Sequence, residues 1–365
     1  MTERPEDQGH MAHALRLAAR GLGSTWPNPA VGCVITQDGV IVGRGCTQPG
    51  GRPHAERMAL DQAGPRARGA TAYVTLEPCA HHGQTPPCSD ALIAAGIARV
   101  VTALTDPDPR TAGQGHARLR AAGIQVTEGI LTPEATRITQ GFLTRVKQNR
   151  PFTTLKLATT LDGRIATASG ESRWITGPQA RAHVHMLRMT HDTVLIGSGT
   201  ARADDPDLTI RNLGAARQPL RIVIDSHLSH AATSRLGQTA GQSPVWLLHG
   251  PHAPANARKN WTATGARLIE CPAQGPHLSL PETFAFLAAE GLTRILCEGG
   301  GTLAAELIRH RLVDDLALYT AGALIGADGT AALGPLGLTA LQDAPRLTLQ
   351  DSRTLGPDSF SLWSF

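Results

Sequence analysis

One spacing constrains this chain more than any other feature. His54-Ala55-Glu56 opens a predicted helix, Glu77-Pro78-Cys79 follows the predicted strand Tyr73-Val74-Thr75-Leu76, and Cys88 ends the same loop before a further helix. For these side chains to act together, a helix start and a strand end must meet at one point, which a sheet covered by helices provides. One imidazole and two thiols suit zinc. Three such ligands leave a fourth tetrahedral position for water, whose pKa the metal lowers toward neutrality. Glu56 stands two residues beyond His54, close enough to move a proton without ligating. Residue type alone leaves two other arrangements open. Cys88 is a small buried thiol and His81 or His82 the third ligand, or four protein ligands close a structural site.

The surrounding pattern supplies such a sheet. Helical character is predicted at 11–20, 54–63, 89–95, 116–122 and 133–148. Strands are predicted at 30–36, 40–45, 70–76, 99–104 and 124–128, the first two joined by the Asp38-Gly39 turn. Asn149-Arg150-Pro151 then breaks the helix, because proline disfavours helix at the residue before it. The expected domains are therefore 1–148 and 151–365. The second holds predicted strands at 152–158, 193–197, 220–225, 245–249, 294–297, 316–320, 346–350 and 359–365. Its predicted helices are 178–189, 281–290 and 302–310, with loop-like stretches at 212–218 and 226–243.

Composition excludes several classes. With 41% hydrophobic and 18% charged residues the chain is globular rather than disordered. Aromatics at 4% argue against a single-strand nucleic-acid binder built on stacking. A formal charge of +4 is too weak to imply nucleic acid. No window approaches the roughly 18 apolar residues of a membrane helix, and the acidic start Met1-Thr2-Glu3-Arg4-Pro5-Glu6-Asp7 is unlike a secretory signal. The six cysteines read as reduced thiols or metal ligands in a cytoplasmic chain.

The second half offers a different chemistry. It lacks Gly-x-Gly-x-x-Gly after its first strand, so a Rossmann domain is not indicated. Ile295-Leu296-Cys297-Glu298-Gly299-Gly300-Gly301-Thr302 joins a strand to a helix. Glycines there admit a phosphate to backbone amides, or serve only a tight turn. Ile196-Gly197-Ser198-Gly199-Thr200 follows another strand, and Asp204-Asp205 precede Pro206, where a turn explains the paired acids as well as catalysis does. Ser169 to Thr176 presents hydroxyls, a guanidinium and the indole of Trp174, which stacks on a ligand or packs in the core.

His-x-Glu then Pro-Cys…Cys is the zinc-deaminase pattern, whose cysteines ordinarily stand two residues apart. Here the gap runs from Cys79 to Cys88 through Gly83, Thr85, Pro86 and Pro87. Together with Trp26-Pro27-Asn28-Pro29-Ala30-Val31-Gly32 and Cys88-Ser89-Asp90-Ala91-Leu92, that longer loop resembles the bifunctional deaminase–reductases of riboflavin biosynthesis. Lys156 to Arg164, Gly170 to Thr176, Val194 to Arg211 and Glu298 to Leu303 resemble the same family's reductase half.

The resemblance implies a cytidine-deaminase-like three-layer α/β/α domain and a dihydrofolate-reductase-like α/β domain. It implies His54, Cys79 and Cys88 as zinc ligands, Glu56 as proton carrier, and Asn28 on the pyrimidine, a residue that otherwise reads as a turn. For NADPH it implies Ala158, Trp174, Thr200, Asp204, Ser226 and the run Gly300, Gly301, Thr302, Leu303, Ala304, Ala305 and Glu306. For the substrate it implies Ser172, Arg188, Leu208, Arg211 and Glu298. A guanidinium fork suits a ribose phosphate, although Arg188 alone also reads as a solvated helix face. Lys156 and Asp162 are polar candidates for the reductase acid. The expected reaction is hydrolytic deamination of a diaminopyrimidinone ribotide, then reduction of its ribose to a ribityl chain. The expected partner is that small molecule, with no nucleic acid or membrane, in a homo-oligomer.

Overall fold

The computed structural model describes residues 4–83, 86–214 and 217–365; Thr85 of the long loop lies outside them. Two compact units meet at the Arg150–Pro151 bond. Both are α/β, as the alternating signals predict.

Along the first unit run α1 (Asp7–Ala19), β1 (Gly32–Gln37), β2 (Val40–Cys46), α2 (Ala55–Ala63), β3 (Thr71–Val74) and α3 (Cys88–Ala94). They are followed by β4 (Arg99–Thr102), α4 (Gln114–Ala121), β5 (Gln125–Thr127) and α5 (Thr132–Gln148). The β1–β2 hairpin closes on Asp38 and Gly39, with φ of 50° and 76°, the left-handed pair that a tight hairpin turn requires. Strand order is β2-β1-β3-β4-β5. β1 is antiparallel to β2 and β3, whereas β3, β4 and β5 are parallel.

Period-2 alternation divides β1 between two cores. Cys33 and Ile35 meet Ala55, Ala59 and Ala63 of α2, with Leu92 of α3 and Leu119 of α4. Val34 meets Met11, Ala14 and Leu15 of α1 and Ala135 of α5. The predicted helix at 11–20 begins earlier, at Asp7, because that buried carboxylate is gripped by both terminal nitrogens of Arg99 at 2.7 Å. Glycine is required in β2: a Cβ on Gly43 or Gly45 would stand 2.2 Å from the carbonyl oxygen of Ala59 or Ala55. Helix α2 therefore lies directly on the strand.

The second unit opens with β6 (Phe152–Thr160), β7 (Arg164–Ala166), α6 (Pro178–Met189), β8 (Thr193–Gly197), α7 (Ser198–Asp204) and β9 (Leu220–Ile224). It continues through α8 (Arg235–Gln238), β10 (Val245–His249), α9 (Ala255–Ala263), β11 (Arg267–Glu270), β12 (Ala273–Gln274) and β13 (His277–Leu278). It closes with α10 (Leu280–Ala289), β14 (Arg294–Cys297), α11 (Gly301–Arg309), β15 (Asp315–Ala321), β16 (Thr330–Ala331), β17 (Thr348–Leu355) and β18 (Asp358–Ser364). The main sheet has nine strands in the order β11-β10-β9-β8-β14-β6-β15-β18-β17. Those from β11 to β15 are parallel, and β18 and β17 return antiparallel. The chain enters at β6, skips a place to β8, and inserts β14 between them later. In such sheets a crevice forms at the carboxyl ends where connections diverge.

Several elements depart from expectation. α7 occupies the glycine-rich 198–204 segment, and α8 interrupts the stretch 226–243 that reads as loop. α9 and β11 were not anticipated, nor were the small ribbons β7–β16 and β12–β13.

Candidate functional site

In the first unit, His54 caps α2 with extended backbone (φ −70°, ψ 159°), which turns its ring off the helix. Its Nδ1 stands 3.3 Å from Sγ of Cys88 and 3.7 Å from Sγ of Cys79. Cys88 is the first residue of α3, and its backbone N–H donates to Sγ of Cys79 at 3.3 Å. The three ligand atoms lie within 4.8 Å of one another. Tetrahedral zinc bonds of about 2.3 Å to sulfur and about 2.1 Å to nitrogen place ligand atoms roughly 3.6–3.8 Å apart, so this donor set fits the ion.

Among the described residues no fourth ligand joins the cluster. His81 instead bonds Thr111 Oγ1 at 3.2 Å through Nδ1, and His82 is exposed near Asp90. The alternative with either histidine as third ligand therefore falls away. Hydrogen bonds from Cys88 and His54, working against burial, hold the Cys79 thiol down to about 4. The thiol of Cys88 is pushed up in return, first by that same hydrogen bond.

Glu56 sits on the first turn of α2, only 4% exposed. Burial first, and then the charge of Cys79, push its carboxyl up to about 7. A cavity of about 80 Å³ is lined by His54, Glu56, Cys79, Asn28, Arg52 and Asp106, among others. Asn28 donates from Nδ2 to the carbonyl of Gly51 at 3.0 Å. Gly51 has φ of 85°, and a Cβ there would meet Nδ2 at 2.2 Å, so glycine permits this contact. Among the described residues no donor reaches the Asn28 Oδ1, which leaves it for a donor in the cavity.

Glu77 has a role its motif does not reveal. It accepts backbone N–H groups of Asp106, Gly113 and His116 at 2.9–3.1 Å, tying the 106–116 segment to the Pro78-Cys79 turn.

In the second unit two adjoining cavities, of about 1110 and 480 Å³, open at the carboxyl ends of β6, β8 and β14. Lys156, Ala158, Ser172, Thr200, Asp204 and Glu298 line both. The larger is walled by Gly197 to Thr200, Ser226 and Gly299 to Leu303, with Glu306 beyond. Gly300 caps α11, so helical N–H groups face this cavity, an arrangement that favours anions.

Two expected cofactor residues are not at this surface. Ala304 and Ala305 are 0% and 2% exposed on the core side of α11, and the Ala304 N–H is taken by Gly300 O. Helical periodicity explains this, since Thr302, Leu303 and Glu306 share the opposite face. Trp174 lines only the smaller cavity; the residue is 69% exposed and the Arg181 guanidinium lies over its ring at 4.7 Å, so it is not core.

Ser172, Arg188, Leu208, Arg211 and Glu298 all line the smaller cavity. The fork expected of Arg188 is already engaged, however. Nε and Nη2 donate to the Glu298 carboxylate at 2.6 and 3.0 Å, and Nη1 to the carbonyl of Thr209 at 2.8 Å. Burial works to raise the Glu298 carboxyl, but Arg188 and Lys156 outweigh it and leave it below the usual range. Burial likewise lowers the Lys156 ammonium, against the pull of Glu298. Asp162 accepts from Thr160 Oγ1 and from the N–H groups of Ile325 and Gly326, so it pins a loop rather than serving the cavity.

Sequence reasoning passed over Arg181, His185 and Arg235, all lining the smaller cavity. The seven-residue step from Arg181 to Arg188, which keeps both on one face of α6, is the signal that was available for Arg181.

Residues 4–104 match the cytidine and deoxycytidylate deaminase zinc-binding region, and residues 151–360 match the RibD C-terminal domain. The riboflavin biosynthesis protein RibD of Escherichia coli is 45% identical over 97% of this chain and 98% of its own. A solved structure of Acinetobacter baumannii RibD aligns with a TM-score of 0.89 at 37% identity, covering 98% of both chains. A diaminohydroxyphosphoribosylaminopyrimidine deaminase/5-amino-6-(5-phosphoribosylamino)uracil reductase of Thermotoga maritima aligns at 0.85 and 32% identity, again over 98% of both.

Proposed function

The chain belongs to the RibD family of riboflavin biosynthesis and is a bifunctional deaminase and reductase, and from that premise we propose which residues do each task. Residues 1–148 deaminate 2,5-diamino-6-(5-phosphoribosylamino)pyrimidin-4-one. Residues 151–365 reduce the product to 5-amino-6-(5-phosphoribitylamino)uracil with NADPH.

The observation that carries the first assignment is the meeting of His54 Nδ1 with two cysteine sulfurs beside the buried Glu56. When bound there, zinc supplies a Lewis acid that makes water acidic near neutral pH. Glu56 takes the proton of water on its carboxylate and returns it to the departing amine, which leaves as ammonia. Asn28 Oδ1 accepts from the pyrimidine edge and sets the ring's orientation.

In the reductase unit the larger cavity holds the nicotinamide cofactor, which supplies the reducing equivalent. Backbone amides at Gly300 to Thr302 take its phosphates. Lys156 lines both cavities, which supports a place for it between cofactor and sugar. It holds the proton that the ribose ring oxygen needs as the sugar opens. Glu298 orients Lys156 and Arg188. Because its ammonium is destabilised by burial, Lys156 gives up a proton more readily than a solvated lysine does.

We read the chain as a cytoplasmic homo-oligomer acting on small molecules without nucleic acid. Support for self-association is β17, an exposed sheet edge with one neighbouring strand. No helix among the described residues is long and apolar enough to cross a membrane. Glu56→Gln tests the deaminase assignment. Metal analysis finds zinc retained, while ammonia release falls by about 10²-fold or more. Undiminished release removes Glu56 from the proton path.

A further inference from the structure

Resting on the reductase reading, in which the smaller cavity takes the substrate, we propose that Gln218 and Arg221 are positioning residues for the reduction. They stand in for a missing strand and fix residues 207–211, the wall that carries Leu208 and Arg211.

The wall is built like a strand but has no strand beside it. Leu208 and Ile210 are 3% and 7% exposed, whereas Asp207, Thr209 and Arg211 are more open. That is the period-2 alternation of a half-buried strand. Asp207, Leu208 and Arg211 line the smaller cavity. Among the described residues, 207–211 makes no backbone-to-backbone hydrogen bond. Its path is also one that side chains resist, since Asp205, Leu208 and Asn212 have φ of 39°, 56° and 62°. Residues other than glycine keep such angles only where their surroundings enforce them.

Side chains supply the enforcement. Gln218 Oε1 accepts the Ile210 N–H at 2.7 Å, and Gln218 Nε2 donates to the Ile210 carbonyl at 3.1 Å. One amide thus makes the pair of bonds that a neighbouring strand makes to a single residue. Arg221, on β9 and 0% exposed, donates from Nη1 to the Asp207 carbonyl at 3.2 Å and to Thr239 Oγ1 at 2.7 Å. Its Nη2 donates to the carbonyls of Thr239, at 3.0 Å, and of Ser243. A guanidinium taken out of water is costly unless its donors are met. Here the donors are met by the wall and by the chain that follows α8, so the fork ties both to β9. From the other side, α6 reaches the wall through Arg188, bonded to the Thr209 carbonyl at 2.8 Å, and His185, whose Nδ1 accepts the Arg211 N–H at 3.3 Å. Neither Gln218 nor Arg221 lines the two cavities described above. Each therefore acts on the substrate through the wall.

The test uses the full-length enzyme with the deaminated ribotide and NADPH. Gln218→Leu keeps the bulk of the side chain and removes both bonds. Its KM for the ribotide rises about tenfold, while kcat, the KM for NADPH and ammonia release from the diaminopyrimidinone ribotide stay as in wild type. Gln218→Glu keeps the acceptor and loses the donor, so its KM falls between the two. Hydrogen exchange at the Ile210 amide quickens in Gln218→Leu, and the amides of β8 and β14 keep their wild-type rates. Arg221→Lys keeps the charge without the fork and raises the ribotide KM in the same direction. A Gln218→Leu enzyme with the wild-type ribotide KM overturns the proposal. So does a fall in kcat with both KM values unchanged, the mark of a smaller folded fraction and a structural role only. A wild-type enzyme that leaves the ribotide unreduced overturns the reductase reading itself.

Discussion

Cys79 and Cys88 have the same chemistry and different standing. Cys79 receives hydrogen bonds from the Cys88 thiol, the Cys88 N–H and His54, and ionises far more readily. Both are needed, because two thiolates and an imidazole are the whole protein contribution to the cluster among the described residues. Cys79→Ser therefore loses zinc on dialysis, read by metal analysis, and ammonia release falls with it; full zinc occupancy argues against ligation there. The arginines teach the reverse lesson. His54, Cys79 and Cys88 were legible in the sequence because few roles need an imidazole and two thiols at such spacing. Arg188 read as a phosphate fork, yet its partner is Glu298, far along the chain, and no local pattern announces that pairing. Glu298→Gln leaves one carboxylate fewer to hold Lys156 and Arg188, so reduction slows more than tenfold while deamination by the same preparation is untouched.

At the scale of elements, the metal site depends on where α2 rests. Its helix backbone packs on Gly43 and Gly45, which leave room for nothing larger. Gly45→Ala forces α2 off β2 and shifts His54 and Glu56. We expect destabilisation of about 1–3 kcal/mol and weaker zinc retention, measured by urea unfolding and metal analysis. An unchanged midpoint contradicts this seating.

The other helical layer is pinned by Asp7 and Arg99. Burial raises the Asp7 carboxyl, but Arg99 outweighs it and leaves the group below the usual range. A depressed folded-state pKa gives stability that is complete above the unfolded value near pH 4 and fades as the pH falls through the folded value. Asp7→Ala strands a buried guanidinium and costs about 3–5 kcal/mol at neutral pH, with a shallower loss of stability on acidification.

Elements in the first unit were legible because each buries an apolar stripe. α9 escaped because only Trp261 of its nine residues is buried, so it carries no apolar period. α7 escaped because Gly199 and its short length read as a turn.

For the whole molecule, two sheets of different topology carry two chemistries on one chain. The break at Pro151 was visible because proline disfavours helix at the residue before it, Arg150, and α5 ends at a left-handed Asn149. The cavities of the second unit were not visible, since they depend on β14 entering between β6 and β8. Separate sites imply separable losses. A strong zinc chelator abolishes ammonia release yet leaves reduction of the deaminated ribotide intact; loss of both together contradicts separate centres. The most direct measurement gives the metal-loaded enzyme the diaminopyrimidinone ribotide with NADPH and follows ammonia and NADPH oxidation in one cuvette. Ammonia appears first, and one NADPH is then oxidised per ammonia released. Oxidation that begins without ammonia, or ammonia release never followed by oxidation, contradicts that sequence.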